Sequence, residues 1–428
     1  MKTRLEPTDP LAPPPGHPRF PLFDSMRALA AISILVVHAA IFTDGYGPTW
    51  YGRFVAHLDI GVPFFFLLSA FLLYRPFVAT RVLGAPATPL GTYARRRFVR
   101  VLPAYWLALT VAAIVPGMAG AFSGNWWVYY GLLQNYPIYT ADVDCTGLAA
   151  YRCALPPTWT LAIEVGFYAV LPLFALAMNS IARRWRGRSW LTPELLAVAA
   201  ISAASVLIQS FPPSTEPRVW LFFSPLGRGW WFAVGLALAA VSVWLQQQEV
   251  TPRWVRWVGD RAGTMVVAAA ALYAFACLVM LDPFPSLAAP AFTSQLAYVS
   301  QYVLFGLIAA LVAMPAVFGG RGLYRRALGH PVLAWLGLIS YGIFLWQFPV
   351  LILLIDHTSL LELWPRGAFP VLVIATFAGS VVCAALSYYG LERPLMRRIR
   401  RRPPKGEGEA RASGSLDPSL GSGNATTG

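Results

Sequence analysis

Long apolar runs alternate with short charged or Pro/Gly-rich breaks along most of the chain. A helix that crosses a bilayer needs about 20 mostly apolar residues. Ten runs of that kind stand out, near 25–42, 58–78, 99–117, 158–182, 190–211, 222–246, 262–282, 293–318, 332–355 and 367–390. Trp126 to Tyr136 is apolar but too short to cross, and is expected to lie at the interface or to dip in and return. The pattern predicts an all-α polytopic membrane protein with about ten transmembrane helices. Residues 1–22 are Pro-rich and polar, with neither an apolar core nor a cleavage-like site, and are expected to form a cytoplasmic disordered tail. The membrane domain is then 23–395. Residues 396–428 are basic and then rich in Gly, Ser, Pro and Thr, which predicts a second cytoplasmic tail.

Composition supports this division. Hydrophobic residues make up 57% of the 428 and charged residues only 12%, too few to cover a water-soluble protein of this length. The formal net charge of +14 would point to nucleic acid in a soluble chain. Its distribution gives another reason. With the N-terminus inside and ten crossings, the outer loops hold only Arg53, Arg152, Arg218 and Arg366, while most other Lys and Arg fall on the inner side. That is the positive-inside bias of a membrane protein, so no nucleic-acid partner is expected and both termini are expected to be cytoplasmic. Cys145 and Cys153 share the long outer loop 118–157, where an oxidising compartment would allow a disulfide. Cys277 and Cys383 fall in spans and read as packing residues.

Ionisable side chains inside a bilayer are costly, so each is a functional candidate. The first span reads FDSMRALAAISILVVHAAIF. Asp24 is placed to cap it, with Arg27 at the inner mouth and His38 deep in the membrane. Eleven residues separate Arg27 from His38. At about 100° and 1.5 Å per residue, they share one face and stand about 16 Å apart. Glu164 lies about two turns into the fourth span and needs a partner or a wet cavity; His38 is in reach if the first and fourth spans are neighbours. The run YARRRFVRVLPAYW places Arg95, Arg96, Arg97 and Arg100 just before the third span, either as a topology signal or as a phosphate clamp. Arg228 is a further buried cation near the outer end of the sixth span. There is no Walker loop, GxGxxG, HExxH, GxSxG or metal-spaced Cys/His cluster, so no metal site is expected. His17, His57, His330 and His357 lie in tails or loops and are weak candidates.

Several of these runs together resemble the integral-membrane acyltransferase-3 family, whose members acylate hydroxyl groups of sugars and other acceptors at the cell envelope. FDSMRALAAISILVVHA is similar to the family's opening Arg-x10-His signature, with Asp24, Arg27 and His38 in place. DIGVPFFFLLSAFLLYRPF resembles its Phe-Phe-x-Leu-Ser-Gly segment through Ser69. RRRFVRVLPAYWLAL resembles its Arg-x-x-Arg start of the third span through Arg97, Arg100 and Pro103. TWTLAIEVGFYAVLPL resembles its Trp-Ser-Leu-x-x-Glu segment through Trp159, Thr160 and Glu164. ISYGIFLWQFPV and LSYYGLERPLMRR resemble its last two spans, the latter through Glu392, Arg393 and Pro394. The likeness covers roughly residues 20 to 400. Three positions depart from the family pattern: Ala70 stands where Gly is usual, Pro63 where many members have an acidic residue, and Gln347 where a His is common. Gln347 can donate and accept hydrogen bonds but takes no proton at neutral pH. No soluble SGNH-type hydrolase domain follows the last span, so the expected form is the short one.

The resemblance implies an O-acyltransferase of the bacterial inner (plasma) membrane. It implies a cytoplasmic acyl-CoA, most simply acetyl-CoA, as co-substrate, with no permanently bound cofactor and a sugar-containing acceptor. Arg27, Arg97 and Arg100 would hold the donor phosphates. His38 would be the general base, with a covalent acyl-His also open, and Glu164 would orient His38 or the acceptor hydroxyl. Asp24, Ser69, Trp159, Thr160, Arg228 and Gln347 would support them. The acceptor could be an envelope polysaccharide, a glycolipid or a glycosylated secondary metabolite. A transporter or flippase of a polar or lipid-linked substrate would also carry intramembrane Arg, His and Glu, but the chain lacks the paired, Gly/Pro-interrupted halves of many transporters. A non-catalytic membrane partner protein is the third reading; the intact Arg27, His38 and Glu164 set weighs against it. The charge placement makes a prediction of its own. Fluorescent protein fused after Gly428 is expected to fluoresce, and alkaline phosphatase at the same point to be inactive. The reverse pattern would put the C-terminus outside.

Overall fold

The computed structural model describes residues 20–43, 45, 49–136, 153–185, 189–211, 216–280, 292–364 and 367–400. Among them, nine helices are long and apolar enough to cross a membrane. The bent pair Arg253–Asp260 and Ala262–Leu278, which meet at 71°, makes a tenth when it is counted as one span. The two ends of the described core agree with that count. Phe20 and Asp24 at the start of the first helix line the same cavity as Met396 and Ile399 at the end of the last. A chain that starts and finishes at one end of the bundle crosses an even number of times.

In chain order the helices are α1 (Pro21–Ile41), α2 (Trp50–Ala56), α3 (Gly61–Leu83), α4 (Leu90–Ile114), α5 (Trp126–Tyr130), α6 (Trp159–Arg184), α7 (Leu191–Gln209), α8 (Glu216–Phe222) and α9 (Gly229–Gln246). They continue with α10 (Arg253–Asp260), α11 (Ala262–Phe275), α12 (Phe292–Phe318), α13 (Gly322–Leu328), α14 (Pro331–Leu338), α15 (Ser340–His357), α16 (Leu360–Leu363), α17 (Ala368–Ser387) and α18 (Arg393–Arg400). The short Trp126 to Tyr136 stretch forms only the five-residue α5, too short to cross, as its length requires.

Several boundaries differ from the hydropathy pattern, each for a physical reason. α3 runs on to Leu83, so Arg81, expected in the loop after 78, belongs to the helix along with Arg75. They are accommodated because partners meet them. Arg75 donates to Ser242 Oγ at 3.2 Å, and Arg81 pairs with Glu194, which also accepts from the Tyr74 hydroxyl at 2.6 Å. Glu194, which is 1% exposed, thereby ties α3 to α7. α4 starts at Leu90, so the arginine run is part of the helix and not a loop before it. The sixth apolar run is split into α8 and α9, and Arg228 stands at the head of α9, not inside a helix. The ninth breaks at Ile339, where α14 ends and Ser340 donates to the Gly337 carbonyl at 2.8 Å. The boundary expected at 395 falls inside α18, which α17 reaches through a π-helical turn, Tyr388–Glu392.

α3 is the central helix. It packs along α9 and also touches α1, α6 and α12, while α15 packs on α17 and α1, and α1 also lies on α14. Aromatic stacking joins three of these helices: Phe232 of α9 lies between Phe66 of α3, at 4.5 Å between ring centres, and Phe167 of α6, at 4.1 Å. Close backbone approach does the rest, since helices in lipid associate largely through packing at small residues. A Cβ on Gly235 would stand 2.1 Å from the Leu67 carbonyl oxygen and 2.8 Å from the Ala70 methyl. The methyl at Ala70 is therefore accommodated because the residue facing it has none. On the outside, Leu173, Leu176, Ile374 and Leu386 are exposed, as lipid-facing positions must be.

Gly235→Ala is expected to force α3 and α9 apart and to cost about 1–3 kcal/mol, the usual penalty of overpacking. Gly263→Ala, where a Cβ meets nothing within 4 Å, is expected to leave stability unchanged or slightly raised. Thermal unfolding of both variants in detergent checks this; equal melting points would show that the Gly235 contact is not limiting.

Candidate functional site

The sequence places most of the candidate residues on separate helices, and the fold gathers them. A cavity of about 550 Å³ is lined by Asp24 and Arg27 of α1, Ser69 of α3, Arg96, Arg97 and Arg100 of α4, and Thr160, Glu164 and Tyr168 of α6. Ser340, Tyr341 and Phe344 of α15 and Met396 of α18 complete the wall. A second cavity, about 420 Å³, lies between α3, α4 and α6 and shares Leu72, Leu73, Arg96 and Arg97 with the first. The two spaces thus meet at the arginine pair.

Asp24 and Arg27 are one helical turn apart and their charged groups stand 3.7 Å apart. α1 begins at Pro21 with Phe20 in the capping position, so Asp24 does not cap the helix as expected. It lies in the first turn, where a carboxylate is still favoured by the helix dipole, and it answers the Arg27 charge. The α1 backbone here is held from behind by α14. A Cβ on Gly337 would stand 1.9 Å from the Asp24 carbonyl oxygen, and Ser25 donates to the Leu328 carbonyl at 2.5 Å.

Glu164 accepts from Ser69 and from the Tyr168 hydroxyl, the latter at 2.6 Å. Two donors and nearby Arg27 answer the cost of a carboxylate at this depth. Tyr168 does not stand out in the sequence, although its i+4 spacing from Glu164 puts both on one helical face. It also lies under Arg97, whose guanidinium carbon is 6.0 Å from the ring centre. Arg97 Nε is buried without a hydrogen-bond partner, as are Arg81 Nε and Arg228 Nε, but of the three only Arg97 lines the main cavity, where an anion could meet it. Arg100 reaches Met396 Sδ at 4.0 Å. The Thr160 hydroxyl is turned to the Pro157 carbonyl at 3.1 Å and so tightens the start of α6. That start is clamped from the α5 side: Gln134 donates to the Thr158 carbonyl at 3.2 Å and Asn135 to the Trp159 carbonyl at 2.8 Å.

The expected pairing of His38 with Glu164 is not what the fold provides. Among the described residues no hydrogen bond joins them, and α3 lies against both α1 and α6. His38 faces α15 instead: its Nδ1 is 3.4 Å from Gln347 Oε1, and the Phe348 ring stands edge-on at 5.3 Å. His38, Gln347 and Phe348 do not line the cavity; Phe344, one turn before Gln347 on α15, does. Phe65 of α3 packs against Phe344 at 5.9 Å.

Arg228 does not join the other arginines. Its guanidinium is boxed by the rings of Phe222 (4.8 Å), Trp159 (5.3 Å), Trp231 (5.4 Å), Phe223 (5.6 Å) and Tyr302 (5.8 Å). It donates to the Tyr298 hydroxyl at 3.0 Å. This cation–π cage explains how a buried charge is tolerated there, and it gives Trp159 a packing role. Cys153 is disulfide-bonded, while Cys145, the partner expected for it, lies outside the described residues. Cys277 and Cys383 are free.

The chain is 26% identical over 395 residues to a peptidoglycan O-acetyltransferase, OatA, of Listeria monocytogenes; the match covers 88% of this chain and 56% of that one. This chain thus spans little more than half the length of that relative. It is also 26% identical over 416 residues to the acyltransferase MdmB of Streptomyces mycarofaciens, covering 91% of this chain and 95% of that one. No solved structure matches it. A family model described as an acyltransferase domain matches residues 21–385. With most of its length inside that match, the chain belongs to the acyltransferase-3 family.

Proposed function

We propose that the protein is a membrane O-acyltransferase that moves an acyl group, most simply acetyl, from cytoplasmic acyl-CoA to a hydroxyl of a sugar-containing acceptor at the cell envelope. The observation that carries this reading is the cavity in which Arg27, Arg96, Arg97 and Arg100 face one space, on the same helix as His38 in the case of Arg27. Four guanidiniums against the two carboxylates of Asp24 and Glu164 leave the lining cationic, which suits a polyphosphate. The second cavity, open to Arg96 and Arg97, gives an elongated donor further room. The acyltransferase relatives support the reaction class, and the Listeria relative's peptidoglycan supports a sugar polymer as acceptor.

In this reading the donor phosphates sit on Arg97, Arg100 and Arg27. The pantetheine arm follows α1 and α15 toward His38, about 16 Å from Arg27 along the helix. His38 takes the proton of the acceptor hydroxyl while that oxygen bonds to the thioester carbonyl carbon. The carbon–sulfur bond then breaks, and the thiolate leaves with the proton that His38 had taken. Glu164 is held by Ser69 and Tyr168, so its part is to balance Arg27 rather than to orient His38.

The test uses purified protein in lipid nanodiscs with radiolabelled acetyl-CoA and candidate acceptors. His38→Ala is expected to lower transfer by about 10²–10⁴-fold in folded protein, the usual contribution of a general base. Normal transfer by that variant would remove His38 from the mechanism. Arg97→Ala is expected to raise the KM for acetyl-CoA about tenfold or more while leaving acceptor binding intact, as loss of a charge-assisted contact would. Native protein that neither binds acetyl-CoA nor releases CoA would overturn the donor assignment.

A further inference from the structure

Gln347 is 1% exposed and stands on α15 opposite His38. Both ends of its carboxamide are engaged. Nε2 donates to the Phe344 carbonyl oxygen at 3.2 Å, and Oε1 faces His38 Nδ1 at 3.4 Å. The backbone contact decides which way round the amide sits. Turned over, Oε1 would face the Phe344 carbonyl, two acceptors with no proton between them. The atom offered to the imidazole is therefore an acceptor, and only a ring nitrogen that carries its proton can meet it. The Phe348 ring stands edge-on to the imidazole, and Phe42 packs on Phe348 at 6.1 Å. These rings oppose the ring flip that would put Cδ2 in the place of Nδ1.

We propose that Gln347 is a positioning residue that fixes His38 as the Nδ1–H tautomer and leaves the basic lone pair on Nε2. The use made of that lone pair rests on the O-acyltransferase reading. The acceptor hydroxyl gives its proton to Nε2 as the new carbon–oxygen bond forms, and the departing thiolate takes it from Nε2 as the carbon–sulfur bond breaks. The Nδ1 proton stays in place throughout. Gln347 neither gains nor loses a proton, so this chain steadies the transient imidazolium with a dipole where a carboxylate would supply a charge.

Full-length protein labelled with ring-¹⁵N histidine, in lipid nanodiscs, tests this directly. The His38 signals are those lost in His38→Ala. At a pH where His38 is neutral, the native protein is expected to show a protonated Nδ1 and an unprotonated Nε2. Gln347→Leu is expected to shift the population toward Nε2–H and to lower turnover about tenfold or more at unchanged KM for acetyl-CoA. Gln347→Glu, which keeps an acceptor oxygen beside Nδ1, is expected to retain the native tautomer. A native Nε2–H tautomer, or an unchanged tautomer in folded Gln347→Leu, overturns the proposal. Should Gln347→Leu not fold, the native spectrum decides alone. The spectrum needs no turnover, so it is read independently of the transfer assay. The expected tautomer without any acyl transfer would sink the enzyme reading and leave the positioning contact standing.

Discussion

A guanidinium or carboxylate cannot face hydrocarbon without a partner, and this chain puts several of each within its spans. Most of its helical arrangement follows from that constraint. Arg81 and Glu194 meet between α3 and α7, Arg27 meets Asp24 within α1, and Glu164 is met by Ser69 and Tyr168 from two helices. Arg228 has rings on several sides, with the Asp59 carboxylate near enough to act on its charge. The Arg81, Ser69 and Arg228 contacts join segments far apart in the sequence. Satisfying the charges therefore fixes which helices are neighbours. The central position of α3 is the outcome: its polar residues are addressed by α6, α7 and α9, while its apolar face lies on α1.

Among the described residues, one group of charges is answered less completely than the others. In the main cavity four arginines face two carboxylates. A bundle selected only for stability would do better with neutral residues there, since an uncompensated buried charge is destabilising. On the proposed reading, a bound donor supplies the missing charge. Arg97 shares its unpartnered Nε with Arg81 and Arg228 and differs from them in lining this cavity.

The fold class was legible because hydropathy is a one-dimensional signal and a membrane span writes it directly. Helix boundaries were less so. The extension of α3 past residue 78 to take in Arg81 depended on Glu194, which lies more than a hundred residues away. The break at Ile339 lies inside an unbroken apolar run, where hydropathy has nothing to register. For the site, Arg27 and His38 could be placed on one face because helical periodicity is local. Neighbour relations could not, and the supposed pairing of His38 with Glu164 gave way to Gln347 and to Tyr168. Tyr168 was readable in principle from its spacing, but a tyrosine four residues from a glutamate is too common to point at anything without the arginines that surround it.

Between Arg27 and His38, α1 holds neither glycine nor proline, and it runs unbroken as one helix. Such a segment neither bends nor stretches easily. Holding both groups on one stiff rod makes the pair a caliper. On the proposed reading, a donor gripped at the arginine end would be gauged by the length of its carrier arm, because only one arm length would bring the thioester level with the imidazole. The acyl group lies beyond the jaw and is not gauged by it. A protein built this way would be strict about the carrier and comparatively indifferent to the cargo, leaving acyl-chain preference to the residues past His38.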